Sequence, residues 1–167
     1  MATVNIPIRV HATLNGAAPS MQTMEYANAQ TFPLGAVLIL SSGQVVVAAT
    51  DPFAGIVGIA AQGADTNPGF AMQNNPAVFT GRVQTVTVFR PNDNMVFAAQ
   101  LVSASDTIVA PATADIGGDY GLRLCSGGFW AVDKTLNDAV KVQGFSPDIY
   151  GAGIVYFKFQ LTALMEV

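Results

Sequence analysis

The sequence contains few ionised side chains. Seven Lys and Arg and eleven Asp and Glu make 11% of its 167 residues charged, whereas soluble domains usually carry about 25%. Hydrophobic residues nevertheless account for 51% of the chain. A folded monomer of 17.4 kDa should expose roughly 7,800 Å² of surface to water. So few charges over that area predict that part of the surface is covered, either by copies of the chain or by a larger partner.

The chain also has only one cysteine and one histidine, which excludes an internal disulfide and the C-x-x-C and H-x-x-x-H metal motifs. The phosphate-binding motif G-x-x-x-x-G-K-[ST] is absent. Cys125 is expected to be a small buried hydrophobe, and His11 a surface residue on the polar face of the first strand, beside Arg9. A net charge of −4 with only seven basic residues argues against nucleic acid as a partner.

Long hydrophobic runs are missing as well. The longest near-apolar stretches, residues 34–40 and 53–61, are too short to span a bilayer and contain glycines. The first residues lack the positive flank and apolar run of a signal peptide. We therefore expect no membrane partner and a chain that is made in the cytosol and stays soluble.

The residues that are present favour strands. Lys and Glu, which favour helices, are rare, whereas 16 Gly and 9 Pro interrupt the sequence at short intervals. Every even position from 4 to 14 is apolar, which predicts a half-buried strand, and Pro7 predicts that this strand lies at a sheet edge. Near the other end Phe157, Phe159, Leu161 and Ala163 form a similar alternation. Only residues 17–30 suggest a helical turn.

This pattern predicts an all-β fold, a small β-barrel or a β-tulip-like sandwich with an extended N-terminal strand or arm. Residues 1–30 would form the arm and first strand, and residues 31–167 a barrel-like body. Two hairpin signals, LILSSGQVVV (38–47) and LRLCSGGFWAV (122–132), share the form L-x-L-x-S-G at a spacing of 84 residues. Either β-hairpins simply look alike, or the body is a duplicated unit with sub-barrels at about 31–80 and 81–167.

Few residues suggest chemistry. Asp115, Asp119 and Asp133 could form a carboxylate site for glycoside hydrolysis or calcium binding, but turn-forming aspartates are the more common explanation. Phe129 and Trp130 could stack on sugar rings, as in carbohydrate-binding β-modules, although aromatic residues in strands are more often core. We therefore predict no catalytic, cofactor-binding or metal-binding residues, and no enzyme.

A set of apolar residues in the predicted strands is expected to be buried in the core or in an interface. These residues are Val4, Ile6, Ile8, Val10, Phe129, Trp130, Phe157 and Phe159.

Several segments resemble one protein family. The runs FPLGAV (32–37), GQVV (43–46) and DPFAGIVGIA (51–60) resemble the small barrel of bacteriophage head decoration, or cement, proteins. The runs ADIG (114–117), YGL (120–122), GFWAVD (128–133) and GIVYFKF (153–159) resemble chains of phage head proteins. Together these runs comprise 40 of the 167 residues, between positions 32 and 159.

The resemblance implies a structural virion protein. Such proteins bind the outer surface of the phage head as trimers, over local three-fold positions of the major capsid protein lattice, and they stabilise that lattice without any cofactor or small-molecule substrate. The alternatives are another virion β-component (tail tube, baseplate or spike) and a carbohydrate-binding β-module.

Overall fold

The computed structural model describes residues 3–27, 30–63, 85–136, 139–147 and 152–165. Within these residues the only helical elements are two three-residue 3-10 turns, Thr113–Asp115 and Leu161–Ala163. The prediction of an all-β, barrel-like fold is therefore confirmed. The strands are β1 (Arg9–Thr13), β2 (Met21–Glu25), β3 (Val37–Ser41), β4 (Gln44–Val47), β5 (Ile56–Ala60), β6 (Thr85–Phe89), β7 (Met95–Val102), β8 (Asp119–Leu124), β9 (Trp130–Asp133), β10 (Val140–Phe145) and β11 (Ile154–Phe159).

The strands form two five-stranded rings. The first ring has the order β2-β6-β5-β3-β4, and a parallel bridge between Tyr26 and Val45 joins its two edges. The second ring has the order β7-β11-β10-β8-β9, closed by a parallel pairing of β9 with β7. All other neighbours in both rings are antiparallel. A closed ring with an odd number of strands cannot be antiparallel throughout. In both rings the parallel contact joins the strands that come first and third along the chain, β2 with β4 and β7 with β9.

The two rings also share their strand register. Val37 faces Ile59 between β3 and β5, and Asp119 faces Lys141 between β8 and β10. Just before these strands, the Gly35 N–H donates to the Ala60 carbonyl and the Gly117 N–H donates to the Val142 carbonyl, each at 2.9 Å. Residues 33–40 thus correspond to residues 115–122, an offset of 82.

Segments outside each ring connect it to the other ring. Strand β1 precedes the first ring in sequence but pairs with β7 of the second ring. The end of the chain returns to the first ring, where the Met165 N–H donates to the Ile56 carbonyl at 3.0 Å. Between these crossings, the Asp51 N–H of the first ring donates to the Leu122 carbonyl of the second at 2.9 Å. Buried residues of both rings belong to one hydrophobic core.

The first strand is shorter than the alternation predicts. Its ladder begins only at Arg9, because the Asn5 and Ile6 N–H groups donate to the side chain of Gln100, at 2.8 and 2.9 Å. The strand does lie at a sheet edge, as Pro7 predicts. The register then shifts between Val10 and Ala12, where a β-bulge adds His11. The apolar alternation ends there, and Leu14 is exposed.

Two other sequence predictions are wrong. The helical turn suggested within residues 17–30 is absent from their described part, which contains β2 instead. Four of the five β2 residues are exposed, so the strand has no apolar face to reveal it. The terminal strand ends at Phe159 and a 3-10 turn follows, which leaves Leu161 exposed although Ala163 is buried. The sequence also predicts a short strand at residues 77–80, which lies outside the described residues.

Candidate functional site

The only histidine takes part in a ring contact. Because the bulge in β1 adds a residue, the exposed His11 reaches across β7 and stacks on Tyr156 of β11. The ring centroids are 3.9 Å apart with the planes inclined by 15°. Ala98 of β7 pairs with Arg9 of β1 on one side and with Tyr156 of β11 on the other. The side chain between β1 and β11 at this level is therefore small. Within the described residues His11 therefore contacts an aromatic ring rather than a nucleophile.

The only cysteine is buried, as its sequence context predicts. Cys125 packs in a small second cluster with Val4, Val102 and Ala131, against the half-buried Phe129. Burial, and then the neighbouring negative charge of Asp106, raises the pKa of the Cys125 thiol to about 12. The thiolate is the nucleophilic form of cysteine, so this side chain is unreactive at neutral pH.

Asp115 lies at the centre of a buried hydrogen-bond network. Its carboxylate accepts from the Lys134 ammonium at 2.6 Å, the Tyr120 hydroxyl at 2.7 Å and the Ala112 N–H at 2.8 Å. Burial alone would raise the pKa of Asp115, but these donors outweigh it and hold the pKa below its ordinary value. Burial, together with the bond to Asp115, raises the pKa of Tyr120 to about 12. The carboxylate thus fixes the turn that precedes β8.

Asp133 forms a second buried network, at the end of β9. Its carboxylate accepts from the Arg123 guanidinium, from the N–H and hydroxyl of Thr135 at 2.8 and 2.7 Å, and from the Ala104 N–H at 3.2 Å. Burial opposes ionisation, but these donors together keep the pKa of Asp133 below its ordinary value. The carboxylate has structural partners on all sides.

The three candidate acids therefore do not form a joint site. Asp119 lies on the exposed side of β8, where it accepts from Gln160 at 3.0 Å and lies 3.4 Å from the Lys141 ammonium. Asp115 and Asp133 each have their own cation. In the described part of the chain, no group of three His, Cys, Asp or Glu side chains could hold a metal ion.

The residues predicted to lie in the core or an interface are distributed over two clusters. Ile8, Trp130, Phe157 and Phe159 belong to the main core, and the half-buried Val10 packs against it. Val4 and Phe129 lie in the cluster around Cys125, and Ile6 is half-buried. The Trp130 side chain is only 1% exposed, so its indole ring offers no face for a sugar.

An open groove of about 370 Å³ lies on the solvent-facing side of β10 and β11. Lys141 and Lys158 face each other across the two strands there, and Gln143 and Gln160 also line the groove. Like charges directly opposite in a sheet are unfavourable. The Lys158 ammonium donates to the Asp93 carbonyl at 2.5 Å. The groove could receive an anionic group, although each ammonium already has a partner.

Large apolar side chains remain exposed on the single chain, between 47% and 71% of each. Among the described residues these are Leu14, Met21, Leu34, Phe53, Ile116 and Leu161. The alternation of apolar residues predicts core-facing positions for Leu14 and Leu161, which are exposed, and no sequence pattern indicates the exposure of the other four. Together these side chains leave apolar area exposed to water on the single chain.

Comparison with known proteins finds no family model that matches the chain and no matching curated protein. Within the described residues, no helix is long and apolar enough to cross a membrane.

Proposed function

We propose that this protein is a capsid decoration protein. In this proposal it binds the outer surface of a bacteriophage head as a trimer and stabilises the lattice of the major capsid protein. It acts by binding, without catalysis, cofactor or small-molecule substrate, and it belongs to the virion after being made in the host cytoplasm. The resemblance of its sequence runs to head decoration proteins suggests this class.

The low density of charge carries the proposal. The chain exposes 8351 Å² and has 18 formal charges, which is about 460 Å² per charge. Permanent protein interfaces are depleted in Lys, Glu and Asp and enriched in apolar residues, and they typically bury about 2,000 Å² or more. A surface with so few charges, and with six exposed large apolar side chains among the described residues, is typical of a chain that works in contact with other proteins.

The described fold also suits a binding protein. Two rings with one shared core form a stiff body, and both ends of the chain cross from one ring to the other. A partner that binds only the assembled lattice stabilises it by mass action, by about 4 kcal/mol per site at a thousand times its dissociation constant. Over many sites this would resist the pressure of packaged DNA.

The test is binding to empty head shells assembled from the major capsid protein that the same genome encodes. We expect the protein to sediment with the shells to a fixed stoichiometry and to raise their melting temperature, and the free protein to have the mass of a trimer. A free monomer with no affinity for the shells would contradict the proposal. Rings of six copies, measured by native mass spectrometry, would instead favour a tail-tube component.

A further inference from the structure

The two rings carry an exposed aliphatic residue at equivalent positions of the same turn. The offset of 82 pairs Leu34 with Ile116, and these side chains are 47% and 48% exposed. Each is followed by a glycine with positive φ, +80° at Gly35 and +82° at Gly117. The sequence form T-x-x-[LI]-G occurs at both places, in residues 31–35 and 113–117. We call these segments the first and second apolar turns.

The exposed side chains of both turns are uncharged. In the first turn they are Thr31, Pro33 and Leu34. In the second they are Thr113, Ala114 and Ile116, because the only acid there, Asp115, is buried. Exposure of a Leu or Ile at one turn needs no explanation. The presence of an exposed aliphatic residue at equivalent positions of two rings whose residues differ at most other positions of this segment indicates a use for it.

Both turns are supported by close contacts, which differ between the two rings. At the first, the backbone of Ile8 passes so close to Gly35 that an added Cβ would lie 2.6 Å from the Ile8 carbonyl oxygen. At the second, the buried Asp115 carboxylate accepts hydrogen bonds from Ala112, Tyr120 and Lys134. A rigid exposed contact residue loses little entropy on binding. The fold thus fixes both residues on the surface before any partner arrives.

From this repetition we infer that the apolar turns are two equivalent contact sites that bind the same surface on two neighbouring subunits of a repeating protein assembly. This inference rests on the proposed function, which supplies a lattice as the partner. A lattice repeats each feature of its surface at a fixed spacing, and a chain with two equivalent contact residues matches that repetition. Because the two contacts are linked within one rigid body, the second forms at a high effective concentration.

The first experiment measures binding to the empty head shells. Leu34→Ser, Ile116→Ser and the double variant are compared with Phe53→Ser, which removes a large apolar side chain that is 71% exposed and lies outside both turns. We expect each single variant to bind at least about tenfold more weakly and the double variant to be lost from the shells. Phe53→Ser should bind like the wild type. Melting temperature and sedimentation of the free variants verify that fold and oligomeric state are unchanged.

The outcomes separate the two proposals. If the wild type does not bind shells, the proposed function fails and this inference fails with it. If the wild type binds and the double variant binds equally well, only this inference is overturned. A change in the oligomeric mass of the free single variants would also overturn it, because the turns would then be contacts between copies of the chain.

A footprint tests the same point without weakening the contact. Leu34→Cys and Ile116→Cys each place one reactive thiol on a turn, and the native Cys125 is too buried to compete. We expect maleimide to label both variants quickly in the free protein and at least tenfold more slowly on shells. Protection of only one of the two positions would show that the contact is not repeated, and would overturn the inference.

Discussion

Leu40 and Leu122 occupy the same position in the two rings. Leu40 pairs with Val45 in the hairpin of β3 and β4, and Leu122 pairs with Val132 in that of β8 and β9. Val45 and Val132 in turn make the parallel contacts that join the edges of their rings. Because both rings follow one plan to the level of individual pairs, a substitution in one ring has a matched control in the other.

The two turn glycines provide such a matched pair. Gly117→Ala should cost about 1–2 kcal/mol of unfolding free energy, because alanine is strained at positive φ, while an added Cβ there meets no atom within 4 Å. Gly35→Ala should cost about 1–3 kcal/mol more, because its Cβ would collide with the backbone of Ile8. Urea denaturation of both variants measures the difference. Equal losses would mean that the chain before β1 does not pack on the first turn in solution.

The relation between the rings was only partly predictable from sequence. The shared L-x-L-x-S-G pattern aligned Leu38 with Leu122, an offset of 84, whereas the registers align Leu40 with Leu122. A shift of two residues keeps each side chain on the same face of a strand, so alternation could not detect the error. The loop between β8 and β9 is also longer than the loop between β3 and β4. The offset between equivalent residues of the two rings is therefore larger in β4 and β9 than in β3 and β8.

The exposure of Leu34 and Ile116 could not be predicted from the sequence for a different reason. Leu34 begins an apolar stretch of the sequence, residues 34–40, which predicts that it is buried. Ile116 follows Asp115, and a polar aspartate is expected to be the exposed residue of its turn. The structure reverses both expectations, since Leu34 and Ile116 are exposed and Asp115 is buried. Burial of an aspartate depends on donors such as Lys134, which lies 19 residues away and reaches it only through the fold.

The buried face of the N-terminal segment can be tested by charge insertion. Ile8→Asp should cost several kcal/mol of unfolding free energy, about 4, because Ile8 is fully buried in the main core. Leu14→Asp is the control, since Leu14 is exposed beyond the bulge and should tolerate a charge. Thermal melts of both variants and the wild type measure the difference in stability. A variant at position 8 that melts like the wild type would contradict the burial of this segment.

Two ion pairs of the second ring, Arg123–Asp133 and Lys141–Asp119, should differ in their effect on stability. Asp133→Asn should cost about 2–4 kcal/mol, since it removes the charge that faces Arg123 in a buried network. Asp119→Asn should change stability by less than about 1 kcal/mol, because its pair with Lys141 is exposed. Chemical denaturation of both variants checks the ranking, and a larger loss at position 119 would reverse this interpretation.

The native thiol should be inert. With a pKa of about 12, Cys125 should react with a disulfide reagent at pH 8 roughly a thousandfold more slowly in the folded protein than in urea, where its pKa is ordinary. The exposed thiol of Leu34→Cys serves as the positive control. Fast labelling of the folded wild type would mean that the cluster around Cys125 opens readily.

Acid should destabilise the protein through its two buried carboxylates. The pKa values of Asp115 and Asp133 lie below the ordinary value when the chain is folded, so at low pH the unfolded chain binds protons first. Their contribution is therefore complete above about pH 4–5, where the unfolded carboxyls are ionised, and is lost as the pH falls through the lowered folded values. Urea denaturation between pH 7 and pH 2.5 should show the unfolding free energy falling below about pH 4. The fall should be shallower in Asp133→Asn, which has one fewer such group. Parallel curves for wild type and Asp133→Asn would show that this carboxylate does not couple folding to protons.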